Sequence, residues 1–187
     1  AADGVVFYFA EPDPCCKITC PTNITVTTCS TNAVVSYPAP VTSDSGMTFT
    51  PHCDFATCPE ELDVLCVPGG TEGTLAAMQH APTLAFLRDR GSRAGIVSSV
   101  CTGSLILAAA GLLTGYRATS HWLTVDILAR FGAIPTQGRV VRDRNRVTGG
   151  GVTAGIDFGL TLLSELRDPA YAQATQLVAE YAPAPPF

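Results

Sequence analysis

From residue 62 onward the apolar positions fall into two repeating patterns. Short unbroken runs, Val64–Val67 and Gly95–Val100, have the length and β-branched content of strands buried on both faces. Around them apolar residues recur every three or four positions over Gly73–His80, Thr83–Arg90, Gly103–Leu112, Trp122–Phe131 and Thr153–Leu166, which predicts helices. Strands alternating with helices predict an α/β body with a mostly parallel sheet. The polar stretch Arg139–Arg146, RVVRDRNR, has Asp143 inside it and reads as a solvated strand-turn-strand. Ahead of residue 62 the pattern is different: β-type runs at Val5–Phe9, Ile24–Thr28 and Ala33–Tyr37 stand between clusters of turn formers. The ending YAPAPPF is too rich in proline to continue a helix.

Composition sharpens that division. Residues 1–61 hold no Leu and no Arg, whereas residues 62–187 hold sixteen Leu and ten Arg, and the one Lys is Lys17. At 187 residues, 47% hydrophobic and 14% charged, the chain is long and apolar enough for one domain with a sizeable core, which excludes wholesale disorder. A net charge of −5 has the wrong sign for neutralising phosphates, so nucleic-acid binding is not expected. No apolar run reaches the length that spans a bilayer, and the first residues lack the basic flank and hydrophobic stretch of a signal peptide. These features predict a soluble protein with no membrane partner.

Cys15, Cys16, Cys20 and Cys29 crowd into fifteen residues, a spacing unlike the paired knuckles of structural zinc sites, so no metal is expected there. Disulfides among them would need an oxidising compartment. Cys53 and Cys58 flank a turn and Cys66 lies inside a strand; all three read as small buried hydrophobes. Asn23-Ile24-Thr25 is a glycosylation sequon, a weak signal.

The stretch most charged with chemistry is AGIVSSVCTGSLILAAAGLL, residues 94–113: a buried strand, then Cys101-Thr102-Gly103, then an Ala- and Leu-rich helix. A strand that hands over to a helix this abruptly pushes the intervening side chain clear of the sheet, and the small neighbours Ser99, Gly103 and Ser104 allow close approach. The start of the helix aims free N–H groups and positive partial charge at the Cys101 sulfur, which favours a nucleophilic thiolate and lowers a thiol pKa from about 8.5. Val67-Pro68-Gly69-Gly70 ends the preceding strand in a turn with exposed amides. In a parallel sheet such loops share one crevice, so the Gly70 amides could serve as an oxyanion hole, although PGG also reads as a plain turn. Thr148–Asp157, TGGGVTAGID, repeats the motif with Thr153 as an N-cap and Gly150 and Val152 at the crevice, or the glycines serve only helix–strand packing. His121-Trp122 opens another helix; it either touches the site or is a packed aromatic with a capping histidine. His52 and His80 read as surface residues.

From about Ser43 onward, roughly three quarters of the chain, the sequence resembles the ThiJ/PfpI superfamily of class I glutamine-amidotransferase-like proteins and, within it, the isonitrile hydratases. The resemblance rests on SDSGMTFTPHCDF, DVLCVPGG, SVCTGSLILAAAGLLTGYRATSHW, GAIPTQGRVVRDRNRVTGGGVTAGIDFGLTLL and AEYAPAPPF. It implies a flavodoxin-like three-layer sandwich, a homodimer, a cytoplasmic location and no metal or cofactor, with Cys101 as nucleophile and Thr102 where the peptidase-like members carry His. The implied reaction hydrates a small-molecule isocyanide to an N-substituted formamide. Gly70 and Thr102 would hold polar groups, and Gly69, Gly150, Val152 and His121 would line the substrate pocket.

Where that family continues from its first strand into an acid-bearing loop and a helix, this chain has AEPDPCCKITCPTNITVTTCSTNAVVSYPAPVTSD, whose CPTNITVTTC and VVSYPAPVTSD resemble part of a hyalin-repeat module. The family's acid falls near Cys16 and Lys17, neither of which is a carboxylate, leaving Glu11 and Asp13 as the nearest chemical substitutes. The domain reading is therefore residues 1–13 as first strand and loop, 14–42 as a poorly ordered β-rich insert, and 43–187 as the α/β body. Loss of the helix removes a dimer surface and the acid, which predicts impaired catalysis. Two other functions fit the same elbow: the ligand-sensing domain of an AraC-type regulator without its DNA-binding part, and a redox-sensing or protein-repair cysteine.

Overall fold

A computed structural model describes residues 53–185 together with two short strands, β1 (Val41–Thr42) and β2 (Thr48–Phe49), which pair antiparallel. The strand over Val5–Phe9, the runs Ile24–Thr28 and Ala33–Tyr37, Glu11, Asp13, the four clustered cysteines, the sequon and His52 lie outside the described residues. So does the expectation for residues 14–42, apart from the backbone of β1.

The body is built on β3 (Val64–Val67), β4 (Ile96–Val100), β7 (Val140–Asp143) and β8 (Arg146–Gly149), in the order β3-β4-β8-β7. β3, β4 and β8 are parallel, and β7 returns antiparallel through the turn at Arg144, the strand-turn-strand expected of RVVRDRNR; it is not solvated throughout, because β8 with Arg146 is buried between neighbouring strands. Side-chain alternation sends Leu65, Val67 and Val97 to one face. There they meet α1 (Glu72–Gln79), α2 (Ala81–Arg93) and α3 (Gly103–Ala109) through Ala77, Phe86, Leu87 and Leu105–Ala108. Val64, Cys66 and Val147 face the other way, onto Phe158 and Leu162 of α4 (Ala154–Leu166). Helices thus cover both faces, giving the three-layer α/β sandwich. Fully buried Leu65, Leu87 and Leu107 each contribute about 1.5–3 kcal/mol of transfer free energy.

Two helical expectations need correction, and one helix is unexpected. The helix after Cys101 stops at Ala109, not Leu112, because Gly111 takes a φ of +80° and turns Leu112 and Leu113 back into the core. Trp122–Phe131 is not an α-helix: a turn over 121–124, closed by the Thr124 N–H on the His121 carbonyl (2.8 Å), leads into a 3-10 helix at Val125–Phe131, ended by Gly132 at φ +79°. A helix without a predicted counterpart, α5 (Pro169–Val178), buries only Ala172, so its apolar periodicity is weak. Its signature is local: Asp168 accepts from the Tyr171 N–H at 2.7 Å and Pro169 occupies the first turn. Two small strands, β5 (Arg117–Ala118) and β6 (Ile134–Pro135), pair in parallel beside the body. Among the described residues no helix is long and apolar enough to cross a membrane.

Candidate active site

β4 ends at Val100 and α3 begins at Gly103, so the chain must reverse direction within two residues. Cys101 makes that reversal with a φ of +56°, a left-handed conformation that costs an L-residue strain and persists only when its surroundings enforce it. The enforcement is visible on both sides of the residue. Its N–H points at the carbonyls of Gly149 and Gly150, each 3.0 Å away, and its carbonyl accepts from the hydroxyls of Ser104 and Ser120, each at 3.1 Å. Gly103 is required by space: a Cβ there would stand 2.1 Å from the Val67 carbonyl oxygen. At Gly69 a Cβ would lie 2.6 Å from both the N and Oγ1 of Thr102 and 3.0 Å from the Cys101 Cβ. The PGG loop therefore presses directly on the elbow, and Cys101 itself is half-buried.

The Thr102 hydroxyl joins those two pieces. It donates to the Gly70 carbonyl (2.7 Å) and accepts from the Gly70 N–H (3.0 Å), and it lies 2.9 Å from the Thr74 hydroxyl. The Thr74 hydroxyl also donates to the Gly70 carbonyl (3.2 Å), so both threonines hold the same loop. The Gly70 amide that the sequence offers to the sulfur is instead turned onto Thr102, and the Thr102 hydroxyl acts on the protein's own loop.

The opposite flank of the elbow is open. Thr119–Trp122, Gln137–Arg139 and Gly150–Val152 enclose a cleft of about 490 Å³. His121, Gly150 and Val152 line it; Gly69 and Gly70 do not, Gly69 lying against Thr102 and Cys101. Ser120 and Gly150, which line the cleft, hydrogen-bond the Cys101 backbone, while Cys101 itself is not among the lining residues. Val152 adopts φ +33° and is 84% exposed. Trp122 is 73% exposed, so the packed aromatic expected there is a rim residue instead. His121 accepts the Leu123 N–H on Nδ1 (3.3 Å) and lays its ring against Gly151, where a Cβ would be 2.7 Å from Cδ2.

Charge holds the outer wall of the cleft. Arg139 donates from Nε (2.9 Å) and Nη2 (2.5 Å) to Asp157 Oδ2, which also accepts from the Tyr181 hydroxyl at 2.9 Å. Burial alone would raise the Asp157 carboxyl, but the bonds from Arg139 and Tyr181 outweigh it and hold it below the usual carboxylate range. Thr153 begins α4 at the expected position, yet its side chain makes no cap bond and lies 3.4 Å from Arg139. His80 is exposed, with Nδ1 2.8 Å from the Thr83 hydroxyl. Among the described residues no three His, Cys, Asp or Glu side chains gather to hold a metal ion. Ser120 and Thr74 are site residues the sequence does not single out; Ser120 sits where a short polar side chain can reach back to Cys101 only after folding.

The DJ-1/PfpI family matches residues 17–165, beginning inside the segment that the sequence assigns to the insert. The chain is 56% identical over 148 residues to an isonitrile hydratase of Pseudomonas putida, covering 79% of this chain and 64% of that protein. A crystal structure of a ThiJ/PfpI family protein from Pseudomonas syringae superimposes with a TM-score of 0.76 at 64% identity, over 79% of this chain and 61% of that one. An HTH-type transcriptional regulator of Pseudomonas aeruginosa is 34% identical over 139 residues, covering 71% of this chain and 39% of the regulator. The chain thus spans less than two thirds of each of these relatives.

Proposed function

The chain belongs to the DJ-1/PfpI family, and from that premise we propose that it hydrates an isocyanide to an N-substituted formamide with Cys101 as the nucleophile. The observation that carries this reading is the Cys101 elbow: a half-buried cysteine on a backbone held in a strained conformation by four hydrogen-bonding partners, two of which line an open cleft. The 56% identity to a hydratase supports the choice of substrate class.

The Cys101 sulfur adds to the terminal isocyanide carbon and the thiol proton goes to that carbon, giving a thioimidate. Water then adds to the same carbon, one of its protons passing to nitrogen. The carbon–sulfur bond breaks, the second proton returns to sulfur, and the formamide leaves. No external redox partner is needed. The cleft beside Ser120 and Gly150 takes the substituent on nitrogen, with His121, Trp122 and Val152 around it. Thr102 and Gly70 act by fixing the elbow against the PGG loop. Glu11 or Asp13 handles the protons in place of the acid missing near Lys17. Without a carboxylate at the family's position near Lys17, the rate is lower by up to about 10²–10⁴, the usual worth of general acid–base help. The protein acts in the cytoplasm on a small molecule.

Incubation with an aryl isocyanide and detection of the formamide tests the reaction. Turnover is expected in the natural chain and is lost in Cys101→Ala, whose far-UV spectrum stays unchanged. Formamide release by that variant at the natural rate would refute the mechanism. The likeness to the regulator favours one second reading, a ligand-sensing domain; it is selected if isocyanides bind without turning over.

A further inference from the structure

Two thiols lie away from the elbow, in the turn that leads toward β3. The turn is tightly closed. The Asp54 carboxylate accepts from the N–H groups of Ala56 (3.0 Å) and Thr57 (2.8 Å) and from the Thr57 hydroxyl (2.8 Å). The Asp54 carbonyl accepts from the Cys58 N–H at 2.9 Å. These bonds wind residues 54–58 into a single helical turn and bring its two ends together. Cys53 precedes the turn and Cys58 completes it, and both side chains pack on the same core cluster beneath α2. Cys58 is buried, Cys53 is half-buried, and neither is in a disulfide.

We infer that Cys53 and Cys58 are a dithiol that closes reversibly to an intramolecular disulfide, a redox-modifiable site independent of Cys101 and of the isocyanide chemistry. The Cys58 thiol is close enough to act on Cys53. Burial, and after it the neighbouring Cys58 thiol and the Asp54 carboxylate, push the Cys53 thiol up to about 11. Exchange at neutral pH is consequently slow, because little of Cys53 is thiolate. Cys53 is the accessible partner and attacks first. Its thiolate breaks the sulfur–sulfur bond of a low-molecular-weight disulfide, releasing one thiol and forming a mixed disulfide. The Cys58 sulfur then displaces the second thiol and loses its own proton. Two protein S–H bonds and one external S–S bond are exchanged for one protein S–S bond and two external S–H bonds. Because the ring so closed is short, the cross-link constrains the unfolded chain only slightly. Its effect is local: the Cys58 carbonyl accepts from Arg90 Nη2 (3.1 Å) and Phe55 stacks on Phe86 with centroids 4.3 Å apart, so closure fastens the turn onto α2.

The test uses the full chain, first reduced and then treated with oxidised glutathione. Remaining thiols are trapped with N-ethylmaleimide, and the protein is cut with chymotrypsin, which cleaves after Phe55 between the two cysteines. The expected result is a pair of fragments joined through Cys53 and Cys58, unlabelled by the maleimide and separated by dithiothreitol. Cys53→Ser and Cys58→Ser each abolish the joined pair, and Cys58→Ser leaves Cys53 as a mixed disulfide with glutathione that dithiothreitol releases. Labelling of both cysteines after oxidation, a bond from either to another cysteine, or a glutathione adduct on Cys53 that Cys58 never displaces would overturn the inference.

Discussion

On the Thr102 flank of Cys101 the chain is locked by neutral hydrogen bonds and by backbone approaches that leave no room for a single methyl group, whereas on the Gly150–Val152 flank it opens into a cleft whose wall is held by an ion pair. The closed flank fixes where Cys101 stands. The open flank decides what can reach it. The two halves of the site should therefore respond differently to substitution and to pH.

The largest difference is expected at Gly103. Gly103→Ala sets a Cβ against the Val67 carbonyl, and since backbone on both sides must shift, it should cost about 3 kcal/mol, read as a lower midpoint of thermal unfolding. A midpoint equal to that of the natural chain would mean that the closed flank is loose. Thr102→Val comes next. It keeps the shape but strands the Gly70 N–H and removes a donor from the Gly70 carbonyl, which should cost about 1–3 kcal/mol. Displacing the loop beside Cys101 should also lower kcat on the order of 10²-fold, while Thr102→Ser restores both. Equal loss in the serine variant would show that the methyl group, not the hydroxyl, matters.

Asp157→Asn, on the open flank, should have the smallest effect, about 1 kcal/mol or less at neutral pH. Its pH dependence has a definite sign. The folded Asp157 carboxyl is depressed, so its contribution is complete above the unfolded value of about 3.9 and disappears as pH falls through the lower folded value. The gap in thermal midpoint between the natural chain and Asp157→Asn should thus close below about pH 4. The gap for Thr102→Val, which removes only neutral hydrogen bonds, should persist through the same range. Parallel behaviour of the two variants would erase the distinction between the flanks.

The contrast also explains what could be read before folding. β3, β4 and the β7–β8 hairpin were legible because unbroken apolar runs and a charged turn report burial directly. The elbow was legible because Cys101-Thr102-Gly103 sits where strand pattern gives way to helix pattern. The partners of the elbow were not. That the Gly70 amide serves Thr102 depends on a turn geometry measured in tenths of an ångström, and the Ser120 bond to Cys101 joins residues nineteen apart in sequence. Trp122 carries no positional signal that separates a rim from a core. Helix α5 was missed because alanines make a weak stripe, although the Asp168-Pro169 start is a local cue. Glu11 and Asp13 lie outside the described residues, so sequence is what speaks for them.

The left-handed backbone at Cys101 bears on the history of this position. Glycine would sit there without strain and asparagine nearly so, whereas cysteine keeps a conformational penalty on the order of 1 kcal/mol in every folded molecule. A lineage with no use for the sulfur would gain stability from either replacement, so mutation would drain cysteine from this site over time. On the proposed reading, that retained strain goes with holding the sulfur at the reversal between β4 and α3.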